Sequence, residues 1–164
     1  MQISRLPTAP FIKALLLTLL FVGPPAIANE IRSAGWIVVR EIVIPDDLLT
    51  IKDKLINWAD MDDLDVILTT GGTGFSPRDN TPEATLEVIE KNAPGIAERL
   101  RSKSLEVTPH AMLSRGIAGI RGEVLIINFP GNPKAAVENF KIIEEILPHA
   151  VELIANAENA ESHH

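Results

Sequence analysis

Thr69-Thr70-Gly71-Gly72-Thr73-Gly74-Phe75-Ser76-Pro77-Arg78-Asp79 follows the apolar run Asp65-Val66-Ile67-Leu68 and precedes Thr81-Pro82-Glu83. The apolar run reads as a buried parallel strand, and Thr81-Pro82-Glu83 reads as a helix start. A glycine-rich turn between strand and helix suits an anion. Glycines allow φ > 0 and close approach of the backbone, and the first N–H groups of a helix point at the ligand. The spacing matches neither the dinucleotide pattern GxGxxG nor the phosphate loop GxxxxGK[ST]. By itself GGTG could be no more than a tight turn. Its continuation through Pro77-Arg78-Asp79 and Thr81-Pro82-Glu83-Ala84 is far more specific.

Outward from this loop the chain alternates. Trp36 to Ile44 is rich in β-branched residues and predicts a strand. It ends at Pro45-Asp46-Asp47, where a carboxylate can cap a helix from Leu48 to about Asp60. That helix puts Ile51, Leu55, Trp58 and Ala59 on one face, with Trp58 as a core residue. Further helices are expected from Pro82 to about Lys91 and from Pro94 to about Lys103. Residues 113–130 read as a hairpin turning at Arg121-Gly122-Glu123, and a last helix runs from Lys134 to about Ile154. The tail from Ala155 to His164 reads as polar and frayed. Strands alternating with helices imply a three-layer α/β domain, its mostly parallel sheet covered by helices on both faces and carrying one hairpin.

Residues 1–22 read differently from the rest. Arg5 and Lys13 precede Ala14-Leu15-Leu16-Leu17-Thr18-Leu19-Leu20-Phe21-Val22, and no acidic residue occurs before Glu30. This resembles a signal peptide, with Ala26-Ile27-Ala28 as a cleavage site, although the run is too short to span a bilayer. The competing reading is a helix from Pro24 to Ala34, apolar at 27, 31 and 34 and closed by Gly35. Cleavage after Ala28 would cut that helix.

Composition narrows the function. A chain of 164 residues suits one domain, burying about 70% of its unfolded surface. Fifteen Lys+Arg against 22 Asp+Glu give a net charge of −7, which argues against nucleic acid and anionic membranes as partners. There is no cysteine, so disulfides, thiolate metal sites and cysteine nucleophiles are excluded. Two Trp, five Phe and no Tyr leave little for base stacking.

In a parallel sheet, ligands sit beyond the carboxyl ends of the strands. Three loops are expected at that edge: Pro45-Asp46-Asp47, Gly71 to Asp79, and Pro130 to Lys134. Asp46 and Asp79 can approach one another there, and paired carboxylates beside a phosphate site suit Mg²⁺. Asp46 equally suits a helix cap. Asp79 beside an anion cradle would repel the ligand unless a cation intervened. Ser114 and Arg115 read as an ordinary strand pair. Lys134 at a helix start is unfavourable for the macrodipole unless it meets a phosphate. His110 and His149 read as surface or structural residues.

TTGGTGFSPRDNTPEAT, Leu113 to Gly122 (LSRGIAGIRG) and Leu125 to Lys134 (LIINFPGNPK) together resemble the molybdopterin adenylyltransferases of molybdenum-cofactor biosynthesis, the group that includes the gephyrin G domain. The resemblance spans about residues 23–153. It implies a cytoplasmic, homotrimeric enzyme that uses ATP and Mg²⁺ to adenylylate molybdopterin with release of pyrophosphate, and a molybdenum-insertion protein as partner. Carried over by motif, Asp46 and Asp79 would be the catalytic, metal-holding carboxylates. Gly71, Gly72, Thr73 and Gly74 would cradle the pterin, helped by Ser104, Ser114, Pro130, Gly131, Asn132 and Lys134. Residues 1–22 depart from the family pattern. They lack its Ser-Asp-Ser-like strand end and its Gly/Asp-rich loop, although Ala14–Val22 could fill the first strand's place by hydrophobicity. The alternative is a non-catalytic molybdopterin-binding or scaffold protein without the nucleotide half of the site.

Overall fold

The computed structural model describes residues 12–19, 25–61 and 63–161. Most of the signal-like segment and the last three residues of the tail lie outside the described residues. Six strands form one sheet in the order β2-β1-β3-β6-β5-β4. In chain order the elements are β1 (Lys13–Leu19), α1 (Pro25–Ser33), β2 (Ile37–Ile44), α2 (Leu48–Ala59), β3 (Val66–Thr70) and α3 (Thr81–Leu86). There follow β4 (Lys91–Asn92), α4 (Pro94–Leu105), a 3₁₀ turn (Pro109–Leu113), β5 (Ala118–Arg121), β6 (Val124–Phe129), α5 (Pro133–Ile143) and α6 (Leu147–Glu161).

The period-two alternation of the central strands builds two cores. Val66 and Leu68 of β3, with Leu125, Ile127 and Phe129 of β6, face one side, where they meet Ile27 and Ile31 of α1, Phe140 of α5 and Leu147 of α6. Ile67, Val124 and Ile126 face the other side, against Ile51, Leu55 and Trp58 of α2 and Ala84 of α3. Trp36 meets Phe140 edge-on, with ring centroids 5.1 Å apart. Trp58 is a core residue, as its position on the helix face requires.

The expected sheet needs correction. It is mixed rather than mostly parallel: β2, β1, β3 and β6 pair in parallel, whereas β4, β5 and β6 form antiparallel ladders. Beyond the single expected hairpin lies an added edge strand of two exposed polar residues. Two residues offer no periodicity to read, and pairing to β5 alone creates the strand. Glu90 N–H donates to the Ile120 carbonyl at 2.8 Å, and Ala93 N–H to that of Ala118 at 2.9 Å.

Two helices also differ from expectation. The helix expected from Pro82 to Lys91 stops at Leu86, because the chain after it must reach the sheet edge at β4. With only six residues, α3 is not a helix terminus that holds an anion. Thr81 N–H already donates to the Gly72 carbonyl, and Ala84 N–H to that of Asn80. The helix expected from Lys134 to Ile154 is two helices, α5 and α6, the second running on to Glu161. Pro148 is the reason for the break: it has no N–H for the Glu144 carbonyl, and its ring clashes with that carbonyl in a continuous helix. No helix among the described residues is long and apolar enough to cross a membrane.

Near the N-terminus, α1 covers Ala26-Ile27-Ala28, and Gly35 follows it at φ 84°. The β1 backbone lies between β2 and β3, pairing from Lys13↔Ile37 to Leu19↔Ile44 on one side, with a register shift between Ala14 and Leu15, and from Ala14↔Val66 to Thr18↔Thr70 on the other. Removing residues 1–22 therefore leaves N–H and C=O groups of both neighbours unpaired, at about 1–3 kcal/mol each. A few such losses consume most of the usual stability of a domain, about 5–15 kcal/mol. The truncated chain is expected to show no cooperative urea transition by circular dichroism. A transition at the full chain's midpoint would contradict the structural role of this strand.

Candidate functional site

Because β2, β3 and β6 run the same way, Ile44-Pro45, Thr70-Gly71 and Phe129-Pro130 leave the sheet at one edge. The loops touch there. Gly71 N–H donates to the Phe129 carbonyl at 3.0 Å, and a Cβ on Gly131 would stand 3.2 Å from the Gly71 Cα. Gly71 and Gly72 have φ of 99° and 62°, a conformation that costs other residues roughly 1–2 kcal/mol. Gly74 has a different constraint. A Cβ on it would lie 2.9 Å from Asp79 Oδ2, so the absence of a side chain leaves room for that carboxylate.

Behind the loop lies a buried polar network. Asn128 donates through Nδ2 to Thr69 Oγ1 and Thr85 Oγ1, both at 3.0 Å, while its Oδ1 accepts from Ile117 N–H at 3.2 Å. Thr85 Oγ1 donates to the Thr81 carbonyl at 2.8 Å, and Thr81 Oγ1 to the Gly71 carbonyl at 3.0 Å. The hydroxyls thus run from strand to helix to glycine loop, and buried polar groups of this kind are satisfied by one another.

Two cavities open on either side of the loop. One, of about 280 Å³, lies over α4, the 3₁₀ turn and the start of α5; its lining includes Ala97, Leu100, Arg101, Ser104, Ser114, Asn128, Pro130 and Asn139. The other, of about 620 Å³, is bordered by Pro45, Asp46, Gly71, Gly72, Ser76, Arg78, Asp79 and Gly131. Thr73 and Gly74 line both, so they form the wall between them.

The sequence-derived candidates divide accordingly. Asp46 and Asp79 share the larger cavity with Gly71, Gly72 and Gly131, while Ser104, Ser114 and Pro130 line the smaller one. Ser104 Oγ donates to Asn139 Oδ1 at 2.9 Å. Asn132 and Lys134 border neither cavity. Asn132 caps α5 by accepting from Ala135 N–H at 3.1 Å, and the 83% exposed Lys134 side chain stands 3.8 Å from Glu138. His110 is exposed at the rim of the smaller cavity, and His149 is exposed on α6.

Of the two carboxylates at the head of α2, Asp47 makes the cap, accepting from Thr50 N–H at 2.9 Å and from its hydroxyl at 2.8 Å. Asp46 takes no part in the cap, and its Oδ1 is buried without a hydrogen-bond partner. Burial pushes the Asp46 carboxyl above the ordinary aspartate range. The Asn80 N–H opposes this, the charge of Asp79 reinforces it, and Arg78 opposes it. Asp79 accepts from Ser76 N–H at 3.0 Å, which fixes its carboxylate within the loop.

Sequence reading missed Arg115. Its Nε donates to the Gly74 carbonyl at 2.7 Å, one terminal nitrogen donates to the Asp79 carbonyl at 2.7 Å, and the other pairs with the Glu83 carboxylate. That pairing holds the Glu83 carboxyl below its ordinary range. The available signal was a charged residue flanked by Ser114 and Gly116 in a run otherwise bound for the sheet.

Gly72→Ala is expected to lower folding stability by about 1–2 kcal/mol in denaturant titrations through φ alone. A variant as stable as wild type would show that position 72 does not need its positive φ. Asp46 has a folded pKa above its unfolded one, so the folded state holds the proton more tightly. Its unfavourable contribution is absent below the unfolded pKa, grows as pH rises, and is complete above the folded pKa. Asp46→Asn should therefore raise the thermal midpoint at pH 7, with the gain fading as pH falls and absent below about pH 4. An equal or lower midpoint at pH 7 would contradict the strained carboxylate.

Comparison with known proteins agrees with this architecture. The family model "Probable molybdopterin binding domain" matches residues 24–149. Over 114 residues the chain is 48% identical to the molybdenum cofactor synthesis protein cinnamon of Drosophila melanogaster, covering 70% of this chain and 19% of that protein. Over 112 residues it is 44% identical to a molybdopterin adenylyltransferase of Helicobacter pylori, covering 68% of this chain and 64% of that one. The chain thus spans less than two thirds of either relative. The crystal structure of the molybdopterin biosynthesis enzyme MoaB from Thermus thermophilus superposes with a TM-score of 0.82 at 40% identity, covering 89% of this chain and 98% of that one. With the glycine loop, its flanking carboxylates and this match over most of its length, the chain belongs to the molybdopterin-binding domain family.

Proposed function

We propose that this protein adenylylates molybdopterin, the smaller cavity holding the pterin and the larger one the nucleotide. The observation that carries the reading is the shared wall. Thr73 and Gly74 separate a largely apolar cavity with hydroxyl and amide groups from one bordered by two carboxylates and an arginine. Two substrates on opposite sides of a single loop meet at its edge. The reaction needs that juxtaposition more than it needs a nucleophilic side chain.

In the proposed reaction an oxygen of the terminal phosphate of molybdopterin forms a bond to the α-phosphorus of ATP. The α–β phosphoanhydride breaks, and its electron pair leaves with pyrophosphate. Ser104, Ser114 and Asn139 supply polar contacts that orient the pterin against Leu100 and Ala97. Gly71 to Gly74 let the substrate phosphate approach the backbone. Positioning of this kind is the main device in phosphoryl and nucleotidyl transfer.

The carboxylate pair fits a divalent cation: Asp46 carries a buried oxygen with no partner and feels the charge of Asp79. Mg²⁺ takes oxygen ligands from one or two carboxylates together with substrate phosphates. Held by Asp46 and Asp79, it would supply charge neutralisation for the nucleotide's phosphates. Arg78 borders the same cavity, where its charge would meet the leaving pyrophosphate. Gly131 borders the same cavity, while Asn132 caps α5 and the exposed Lys134 follows it outside both linings. A homotrimer and a molybdenum-insertion partner in the cytoplasm belong to the same proposal; the similarity to molybdenum-cofactor proteins supports them.

Asp79→Asn preserves size and removes the charge. Turnover of molybdopterin with Mg²⁺-ATP, followed by chromatography of the adenylylated product, is expected to fall by roughly 100-fold or more. Molybdopterin affinity should change little. Full turnover in Asp79→Asn would remove the carboxylate from the mechanism. Binding of molybdopterin by the wild-type chain with no adenylylated product would instead favour a non-catalytic carrier.

A further inference from the structure

We infer that Arg115 is a positioning residue that ties the carboxylate cavity to the wall of the pterin cavity, so that Asp79 is aimed from the pterin side of the site. This rests on the proposed adenylyltransferase reading and adds a residue to it. Arg115 borders neither of the two cavities. Its side chain reaches across the back of the glycine loop and holds both ends of the segment that carries the second carboxylate. It takes the Gly74 carbonyl at one end and the Asp79 carbonyl at the other, each at 2.7 Å. Its main-chain N–H donates to the Thr73 carbonyl at 2.8 Å. Glu83 of α3 anchors the third nitrogen.

The two residues beside Arg115 belong to the other cavity. Ser114 and Gly116 line it, and the Gly116 carbonyl accepts from Arg101, also in that lining, at 2.6 Å. One three-residue segment therefore borders the pterin side with its ends and braces the nucleotide side with its centre. A planar guanidinium offers donors in fixed directions, whereas an ammonium is a point charge on a flexible stem. Lysine can keep the charge near Glu83 but cannot span the Gly74 and Asp79 carbonyls together. With that span lost, the loop between them drifts, and the Asp79 carboxylate with it.

The test uses the full chain with Arg115→Lys, and Glu83→Gln as a milder variant that keeps the arginine. Binding of Mn²⁺-ATP is followed by the loss of the free Mn²⁺ electron paramagnetic resonance signal, and molybdopterin binding by quenching of tryptophan fluorescence. Arg115→Lys is expected to weaken Mn²⁺-ATP at least tenfold, to lower kcat at least tenfold, and to leave molybdopterin affinity within about threefold. Glu83→Gln should move the same quantities in the same direction by less, and it decides the matter alone if Arg115→Lys does not fold. A variant that binds Mn²⁺-ATP like wild type, or loses only thermal stability, overturns the inference and leaves the adenylyltransferase reading standing. Weakened Mn²⁺-ATP binding in a chain whose wild type never adenylylates overturns that reading and keeps the role of Arg115. A wild type that does not bind Mn²⁺-ATP overturns both.

Discussion

A glycine loop at the end of an apolar sheet has no packing of its own to hold it open, and in this fold the Asn128 amide supplies the hold. Asn128 lies in β6 among Leu125, Ile126, Ile127 and Phe129, all buried. Its amide takes two threonine hydroxyls and one main-chain N–H, which joins β3, α3 and the loop residue Ile117 just before β5 in one network. Replacing it with an apolar residue would strand several buried partners at about 1–3 kcal/mol each. The position of Gly71 to Gly74, and with it the division into two cavities, depends on that network.

The charges are arranged against stability. The chain is acidic overall, and within it Asp46 is held partly buried near a second carboxylate. Nothing in folding requires this, because Asp47 already caps α2. Strain of this sort is characteristic of residues retained for a ligand. Arg115 works in the opposite sense: its donors satisfy the main-chain carbonyls of Gly74 and Asp79, while the Asp79 carboxylate accepts from Ser76 N–H at the border of the larger cavity.

Much of this was legible in the sequence, for reasons that can be named. The unbroken apolar runs Val66-Ile67-Leu68 and Val124 to Ile127 mark strands covered on both faces, and the Pro45, Gly71 and Pro130 loops fall at one edge once those strands run parallel. Gly72 at positive φ follows from a glycine pair in a turn. Other features depended on distant partners. The β4 strand exists only through β5, and α3 stops early so that the chain can reach it. Pro148 was a local signal for the break between α5 and α6 that the reading of one continuous helix left unused. Arg115 looked like a strand residue because its partners, Gly74, Asp79 and Glu83, lie 32 to 41 positions away. The choice between Asp46 and Asp47 as the cap turned on a single backbone geometry, with Asp47 extended at φ −121° and ψ 126°.

The central claim is that Thr73 and Gly74 form a partition with a substrate on each side. Its most direct test is an equilibrium titration with molybdopterin of the full chain saturated with Mg²⁺ and α,β-methylene ATP, whose α–β bridge cannot be cleaved. Two cavities separated by one loop predict a ternary complex, with molybdopterin binding as tightly as it does without nucleotide, or more tightly. Mutual exclusion, in which the apparent molybdopterin dissociation constant rises in proportion to nucleotide concentration, would contradict the partition.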